Sequence, residues 1–428
     1  MNNTVKYIDL FCGMGGLRVG FEKSLELLGL EGSCEFSSDI KDSAIKAYNH
    51  NFKSEMKYTD ITNIDEHDIP DFDFLLAGFP CQAFSSAGNR LGFEDTRGTL
   101  FFDVARIIKE KQPEGFILEN VEGLVNHDKG KTFKIIERTL LDLGYKVTFK
   151  IINGKDFGLA QSRNRIYIVG HKEKIINIDN YHTKNSVLKD VLEKGIPIIN
   201  TEFTKKVLSH FKIEELYGKS IKDKRGGVNN IHSWDVELKG SVSEKQKLLL
   251  NRLLKERRKK EWAEKIGITW MDGMPLTLKQ IKTFNDDVNL NEMLEDLVRK
   301  GYLKFEHPKE KEGNKRVPDI SKPKGYNIVT GKLSFEYSKI LSPYEVTPTL
   351  VAMDVNKLGV PSLEPLGIRR LTIREGLRLF GYPETYSLDN LSENKAFDLL
   401  GNTVCVPVIE YISKQLLNNS SFIDTINL

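Results

Sequence analysis

Residues 5–16 read VKYIDLFCGMGG and lead directly into LRVGFEKSLELLG at 17–29. VKYIDLF is an apolar run of strand length, whereas Leu17, Phe21, Leu25 and Leu28 recur near helical spacing. A strand that breaks on glycines and restarts as a helix is the opening unit of a doubly wound sheet. The same alternation continues outward. CEFSSD (34–39) reads as a strand, DSAIKAYNHNF (42–52) as a helix and FDFLLAGF (72–79) as a buried strand. LFFDVARIIKEKQP (100–113) and KTFKIIERTLLDLG (131–144) read as helices on either side of the strand GFILENV (115–121), with KVTFKII and RIYIVGH as closing strands. Parallel strands need crossover helices, so this order predicts an α/β fold built on a doubly wound, mostly parallel, Rossmann-like sheet.

The chain has 428 residues, 39% hydrophobic and 29% charged, the composition of a globular protein. That length suits more than one domain. No run approaches the ~18 apolar residues that span a bilayer, and MNNTVKYIDLF lacks the pattern of a secretory signal. These features imply a cytoplasmic protein with no membrane partner. Cys12, Cys34, Cys81 and Cys405 lie far apart without a CxxC or Cys/His cluster, so neither a disulfide framework nor a metal site is expected.

The formal net charge of +3 is unevenly laid out. Residues 1–170 hold 21 basic and 25 acidic groups, net −4; residues 171–366 hold 36 and 28, net +8; residues 367–428 hold 6 and 7, net −1. After His171 the strand–helix rhythm also stops. We therefore expect a catalytic and cofactor-binding domain over 1–171, a second, irregular α+β domain over 172–366, and a C-terminal segment, 367–428, that returns to complete the first. The excess positive charge in the middle suits a polyanionic partner or simply a Lys-rich solvated surface. That region contains one basic helical stretch, EKQKLLLNRLLKERRKKEW (244–262), in which Arg257, Arg258, Lys259 and Lys260 would touch phosphate or face solvent. It then runs through two short helical patterns, TLKQIKTF and NLNEMLEDLVRKGYLKFE, into a charged hairpin, an order that resembles a winged helix–turn–helix.

Four places carry chemistry. The glycine turn after the first strand lets a ligand approach the backbone; its GMGG spacing is not GxGxxG, and Asp39 at the end of the second strand could hold ribose hydroxyls. Ala77-Gly78-Phe79-Pro80-Cys81-Gln82-Ala83-Phe84-Ser85 places a thiol at a strand's C-terminal end, with Pro80 stiffening the turn and a glycine-containing loop following. Glu119-Asn120-Val121 closes another strand on the same side. In Gln161-Ser162-Arg163-Asn164-Arg165 the two arginines, two residues apart on an extended segment, point the same way and can converge on one carboxylate, carbonyl or phosphate.

DLFCGMGG, GFPCQ, ENV, QSRNR, RLTIREGLRLFGYP and LLGNTVCVPV together resemble the ordered motifs of the C5-cytosine-specific DNA methyltransferases. The resemblance covers the whole chain, with 172–366 in the place of the variable target-recognition region. It implies a site-specific enzyme of the bacterial restriction–modification type that flips a cytosine out of double-stranded DNA and methylates C5. It implies Cys81 as nucleophile at C6, Glu119 at N3, and Arg165 at the cytosine carbonyl and orienting Glu119, with Arg163 assisting or contacting the backbone. S-adenosyl-L-methionine would lie over Phe11, Gly13 and Gly15, with Asp39 at the ribose and Asp60 and Ile61 near the adenine; Ile40, Gly78, Leu100, Asn402 and Val404 match further cofactor-lining positions. Pro80, Gln82, Ser85 and Asn120, with the pair Thr349-Leu350 in PTLVA, match substrate- and DNA-binding positions. A cognate restriction endonuclease is implied as a functional rather than physical partner of a nucleoid-associated monomer, and no metal is needed. Ala160 stands where the family often has Pro, and Phe380 where Gln is common. The alternatives are a tRNA cytosine-C5 methyltransferase, whose variable region is much shorter, and a catalytically inactive DNA-binding regulator on the same fold. A nicotinamide-dependent oxidoreductase would leave GFPCQ without a role.

Overall fold

The structure is a computed structural model that describes residues 4–80, 100–224, 227, 229–313, 315–330, 335–352 and 355–426. The chain folds into two compact units: 1–193 with 344–356 and 371–428, and 194–343 with 357–370. The first division falls at Glu193 instead of His171, because the segment after residue 171 is stitched back onto the first unit. Lys184 N–H bonds the Asp156 carbonyl at 2.9 Å, Leu188 N–H the Glu345 carbonyl at 3.0 Å, and Glu193 N–H the Glu375 carboxylate at 2.7 Å. PTLVA also lies in the first unit, where Thr347 exchanges backbone bonds with Ala160 and Ser162.

The first unit opens with β1 (Thr4–Leu10), α1 (Gly16–Leu27), β2 (Glu31–Ser38), α2 (Asp42–Phe52), β3 (Phe74–Ala77), α3 (Leu100–Lys111), β4 (Gly115–Val121), α4 (Lys131–Asp142), β5 (Lys146–Asn153) and β6 (Asn164–His171). The sheet order is β2-β1-β3-β4-β6-β5. β1, β2, β3 and β4 pair in parallel, while β6 runs antiparallel to both β4 and β5. Only about ten residues join β5 to β6 and no crossover helix intervenes, so β6 must reverse. The four residues of β3 are fully buried, as a central strand covered on both faces requires.

Asp9 on β1 carries a carboxyl fully buried in this layer. Burial pushes the Asp9 carboxyl up to about 8, against the lowering influence of Arg18 and of the Tyr48 hydroxyl. A carboxyl whose folded pKa is raised contributes stability below its unfolded pKa, and that contribution is lost as pH rises through about 8. Asp9→Asn should therefore flatten the fall of the denaturation midpoint as pH rises from 3.8 to about 8. A wild-type and variant midpoint that fall in parallel would exclude this account.

The second unit contains α5 (Glu202–His210), β7 (Ser220–Ile221), β8 (Asn230–Ile231), α6 (Glu244–Glu256), α7 (Glu261–Ile266), α8 (Leu278–Lys282), α9 (Leu290–Arg299), β9 (Leu303–Glu306), β10 (Lys309–Glu312), β11 (Lys315–Pro318), β12 (Gly325–Ile328), β13 (Lys339–Ile340), β14 (Leu358–Leu363) and β15 (Leu366–Arg369). It has two cores. One lies between α5 and the five-stranded sheet β15-β14-β13-β7-β8; the other gathers Leu250, Leu253, Leu294, Leu297 and Ile328 from α6, α9 and β12. The single basic helix expected over 244–262 is two helices. Arg257 turns inward to donate to Asn327 Oδ1 at 2.7 Å, and the Trp262 indole takes the Glu256 carbonyl at 3.0 Å, which closes the end of α6.

The chain returns through α10 (Ile373–Phe380), α11 (Glu393–Asn402), α12 (Val406–Leu417) and α13 (Ser421–Ile426). Thr372 and Glu375 form a reciprocal capping box that starts α10, and Gly381 at φ +77 ends it. α12 lies against α1 at Gly20, where an added Cβ would meet Ile409, and at Ser24, whose hydroxyl donates to the Glu410 carbonyl at 2.7 Å. Among the described residues no helix is long and apolar enough to cross a membrane.

Candidate active site

From β1 the chain passes to β2 on one side and, after α2, returns to β3 on the other. The loops leaving β1 and β3 therefore diverge and open a crevice at the C-terminal ends of the strands. A cavity of about 480 Å³ lies there, within the size range of small-molecule sites.

The glycine turn forms one wall. Phe11 and Gly13 both take the left-handed conformation, at φ +53 and +54, and the Cys12 N–H bonds the Ser38 carbonyl at 3.0 Å. An added Cβ at Gly13 would meet nothing within 4 Å. Asp39 is locked from two sides: Oδ2 accepts the Gly13 N–H at 2.9 Å and Oδ1 the Lys41 N–H at 2.8 Å. Its remaining lone pairs stay available to a ligand. Asp60 caps the short turn 61–63 by accepting the Thr62 N–H at 3.0 Å. Phe11, Gly13, Asp39, Ile40, Asp60, Ile61, Gly78, Leu100, Asn402 and Val404 all line the cavity. Gly15 does not. A Cβ there would lie 2.3 Å from the Phe52 ring, so its glycine serves the packing of α2 behind the turn. Sequence reasoning passed over two lining glycines, Gly401 and Gly16; at Gly16 a Cβ would come within 2.6 Å of the Tyr382 hydroxyl and 2.8 Å of Thr403 Oγ1. The doubled glycine of GMGG was the available signal for Gly16.

Glu119 and Arg165 form the polar end. Arg165 sits opposite Val121 in the β4–β6 register, one diagonal step from Glu119, and its Nε lies 3.0 Å from Glu119 Oε1. Glu119 is 8% exposed. Burial raises its pKa above the ordinary carboxylate value, while Arg165 and then Arg163 pull the other way without cancelling it. The carboxyl thus holds a proton more readily than a surface Glu.

Arg163 does not join Arg165 on that carboxylate through a hydrogen bond. Its guanidinium is buried and donates to the carbonyls of Leu350 (3.3 Å), Gly401 (3.3 Å) and Thr403 (2.7 Å). The expected convergence fails because β6 begins at Asn164, leaving Arg163 in the preceding loop, where strand alternation does not hold. Asn120 is similarly occupied: its Nδ2 donates to the Phe79 carbonyl at 2.8 Å and its Oδ1 accepts the Val121 N–H. It holds the Gly78–Pro80 segment, of which Pro80 is exposed and lines the cavity. Thr349 donates to the Ser162 carbonyl at 2.7 Å, and Leu350, 0% exposed, donates its N–H to Gln161 Oε1. The side chain of Leu350 is therefore a core group. Cys81, Gln82 and Ser85 lie outside the described residues.

The family model described as C-5 cytosine-specific DNA methylase matches residues 5–418. The chain is 56% identical to the Type II methyltransferase M.NlaIV of Neisseria lactamica over 421 residues, covering 97% of this chain and 99% of that protein. It is 39% identical to the Type II methyltransferase M.BanI of Aneurinibacillus aneurinilyticus over 442 residues, 97% of this chain and 96% of the other. Among solved structures, the S. pombe Dnmt2 methyltransferase superposes with a TM-score of 0.53 at 15% identity, over 99% of this chain and 100% of that one. At that identity the likeness speaks for the fold alone.

Proposed function

The chain belongs to the C-5 cytosine-specific DNA methylase family, and on that premise we propose that it methylates C5 of a target cytosine within a specific site in duplex DNA. The observation that carries this reading is the buried Glu119–Arg165 pair in the lining of one cavity with the glycine turn and Asp39. The relatives at 39–56% identity named Type II methyltransferases favour DNA over tRNA as substrate and a place beside a restriction endonuclease of matching specificity. A cytoplasmic, nucleoid-associated monomer suits that role. The first compact unit would carry the chemistry and the second the recognition of the site.

The residues of the cavity fit S-adenosyl-L-methionine. Asp39, pre-oriented by two backbone N–H groups, would hold the ribose hydroxyls; Gly13 leaves open space for the ligand; Phe11, Ile40 and Ile61 offer apolar surface, with Asp60 at the adenine edge. When bound, the cofactor supplies an electrophilic methyl group. C5 of cytosine is a poor nucleophile, so the Cys81 thiolate would add to C6, turning C5–C6 into an enamine. Glu119 would donate a proton to N3 so that no negative charge builds up on the ring, and Arg165 would hold both Glu119 and the cytosine carbonyl. Once C5 carries the methyl group, a solvent base takes the C5 proton, the C6–S electron pair leaves with sulfur as the thiolate, and N3 returns its proton to Glu119, which restores the ring and the enzyme. The base reaches the site only when flipped from the stack, at a cost of a few kcal/mol.

The test is transfer of a labelled methyl group from S-adenosyl-L-methionine to duplex DNA and, separately, to tRNA, followed by identification of the modified nucleoside. We expect 5-methylcytosine in DNA alone. Label in tRNA alone would make the tRNA reading correct, and label in neither would leave the inactive regulator.

A further inference from the structure

In the second unit a pair of short helices is followed by a strand pair and a charged hairpin, the element order of a winged helix–turn–helix. α8 and α9 are the helix pair. Leu276 exchanges both backbone bonds with Tyr326 on β12, which pairs in turn with β9, and the hairpin β10–β11 projects between those strands as the wing. In a helix–turn–helix reader the second helix enters the major groove. Here α9 turns Leu290, Leu294 and Leu297 inward and leaves Asn291, Glu292 and Glu295 exposed, with Asp286 just ahead of it. A carboxylate can accept from cytosine N4, but it needs cationic flanks to approach the phosphates. The α9 cation Arg299 is already paired with Asp296 at 3.0 Å.

The cations lie on the wing. Residues opposite one another in an antiparallel pair share a face. The register Lys309↔Pro318 and Lys311↔Arg316 therefore puts Lys309, Lys311 and Arg316 on one side, and Glu310, Glu312 and Lys315 on the other, where the Glu310 carboxylate accepts the Thr269 N–H at 3.1 Å. Arg316 also donates to the Trp270 carbonyl at 2.9 Å, which ties the hairpin to an exposed indole capped by the Lys260 ammonium 6.0 Å from the ring centroid. This explains the run 257–260. Arg257 is buried, Arg258 pairs with Asp272 at 2.7 Å and Lys259 with Glu256 at 2.8 Å, which leaves Lys260 beside the wing.

We infer that the wing face formed by Lys309, Lys311 and Arg316, continued by Lys260 and Trp270, binds the phosphate backbone of duplex DNA independently of sequence, and that α9 does not read bases. This rests on the duplex-DNA reading above. The experiment uses the full chain and a fluorescent random-sequence duplex, with affinity measured across a salt series. Each phosphate contact contributes about 0.9 to the slope of log K against log salt. Lys260→Gln/Lys309→Gln/Lys311→Gln should flatten the slope by about 2–3 and weaken low-salt binding roughly tenfold or more, with the thermal midpoint unchanged. Glu292→Gln/Glu295→Gln should bind as tightly as wild type or tighter. It should also keep its discrimination between a mapped methylation site and the same site with one base pair changed. An unchanged slope in the triple variant, or lost discrimination in the double variant, overturns the inference. Wild-type methyl transfer measured on the same preparation separates the two failures. If transfer to DNA is intact while the slope does not move, only the wing assignment falls; if the wild type neither binds nor methylates duplex DNA, the enzymatic reading falls with it.

Discussion

Replacing Glu119 by Gln should lower kcat for methyl transfer by about 10²–10⁴ and leave the protein folded. The two side chains have the same shape, so the apolar surroundings of β4 stay filled. What disappears is a carboxyl able to carry a proton to N3. The raised pKa of Glu119, caused first by burial, is what makes the protonated form accessible to the wild type. The sign follows from that direction. The wild-type rate should fall as pH rises through the Glu119 pKa, and the Gln variant should lack this limb. Stability runs the same way: the folded-state preference for a neutral Glu119 is lost as pH rises, so Glu119→Gln should gain stability relative to wild type on the alkaline side. Single-turnover rates and denaturation midpoints over a pH series check both. A variant within threefold (~) of wild type at all pH values would remove Glu119 from proton transfer.

Arg163→Met should act in the opposite manner, on the fold first. Three buried carbonyls, those of Leu350, Gly401 and Thr403, lose their donors at once. An unsatisfied buried acceptor costs about 1–3 kcal/mol, so a loss of about 3–5 kcal/mol is expected after partial relaxation. Arg163→Lys should rescue little, because one ammonium on a flexible stem cannot reproduce a planar fork reaching separate carbonyls. Urea unfolding measures the loss. Because Gly401 and Thr403 also line the cavity, cofactor affinity should weaken alongside stability. A variant with an unchanged midpoint and no activity would instead place Arg163 on the substrate.

Local patterns were legible in the chain and distant contacts were not. DSAIKAYNHNF and GFILENV coincide with α2 and β4 residue for residue, because spacing within one element records which face is buried. Asp39 could be placed in the site because it ends a strand next to the glycine turn. The carbonyls that Arg163 holds could not be named from sequence because they lie 187 to 240 positions away. Gly15 and Gly16 look interchangeable in GMGG; only the positions of Phe52 on one side and Tyr382 and Thr403 on the other tell them apart. The break between α6 and α7 was equally hidden, since nothing in KERRKKEW marks Arg257 as the residue that turns inward to Asn327.

The central claim is that Cys81 forms a covalent bond to cytosine C6 during transfer. A duplex synthesised with 5-fluorocytosine in place of cytosine tests it most directly, because fluorine at C5 cannot leave as the proton does and the adduct cannot resolve. With S-adenosyl-L-methionine present, the wild type should give a protein–DNA adduct that survives denaturation and maps to Cys81, and Cys81→Ser should give none. No adduct from an enzyme that methylates the ordinary duplex, or an adduct that persists in Cys81→Ser, would contradict the account.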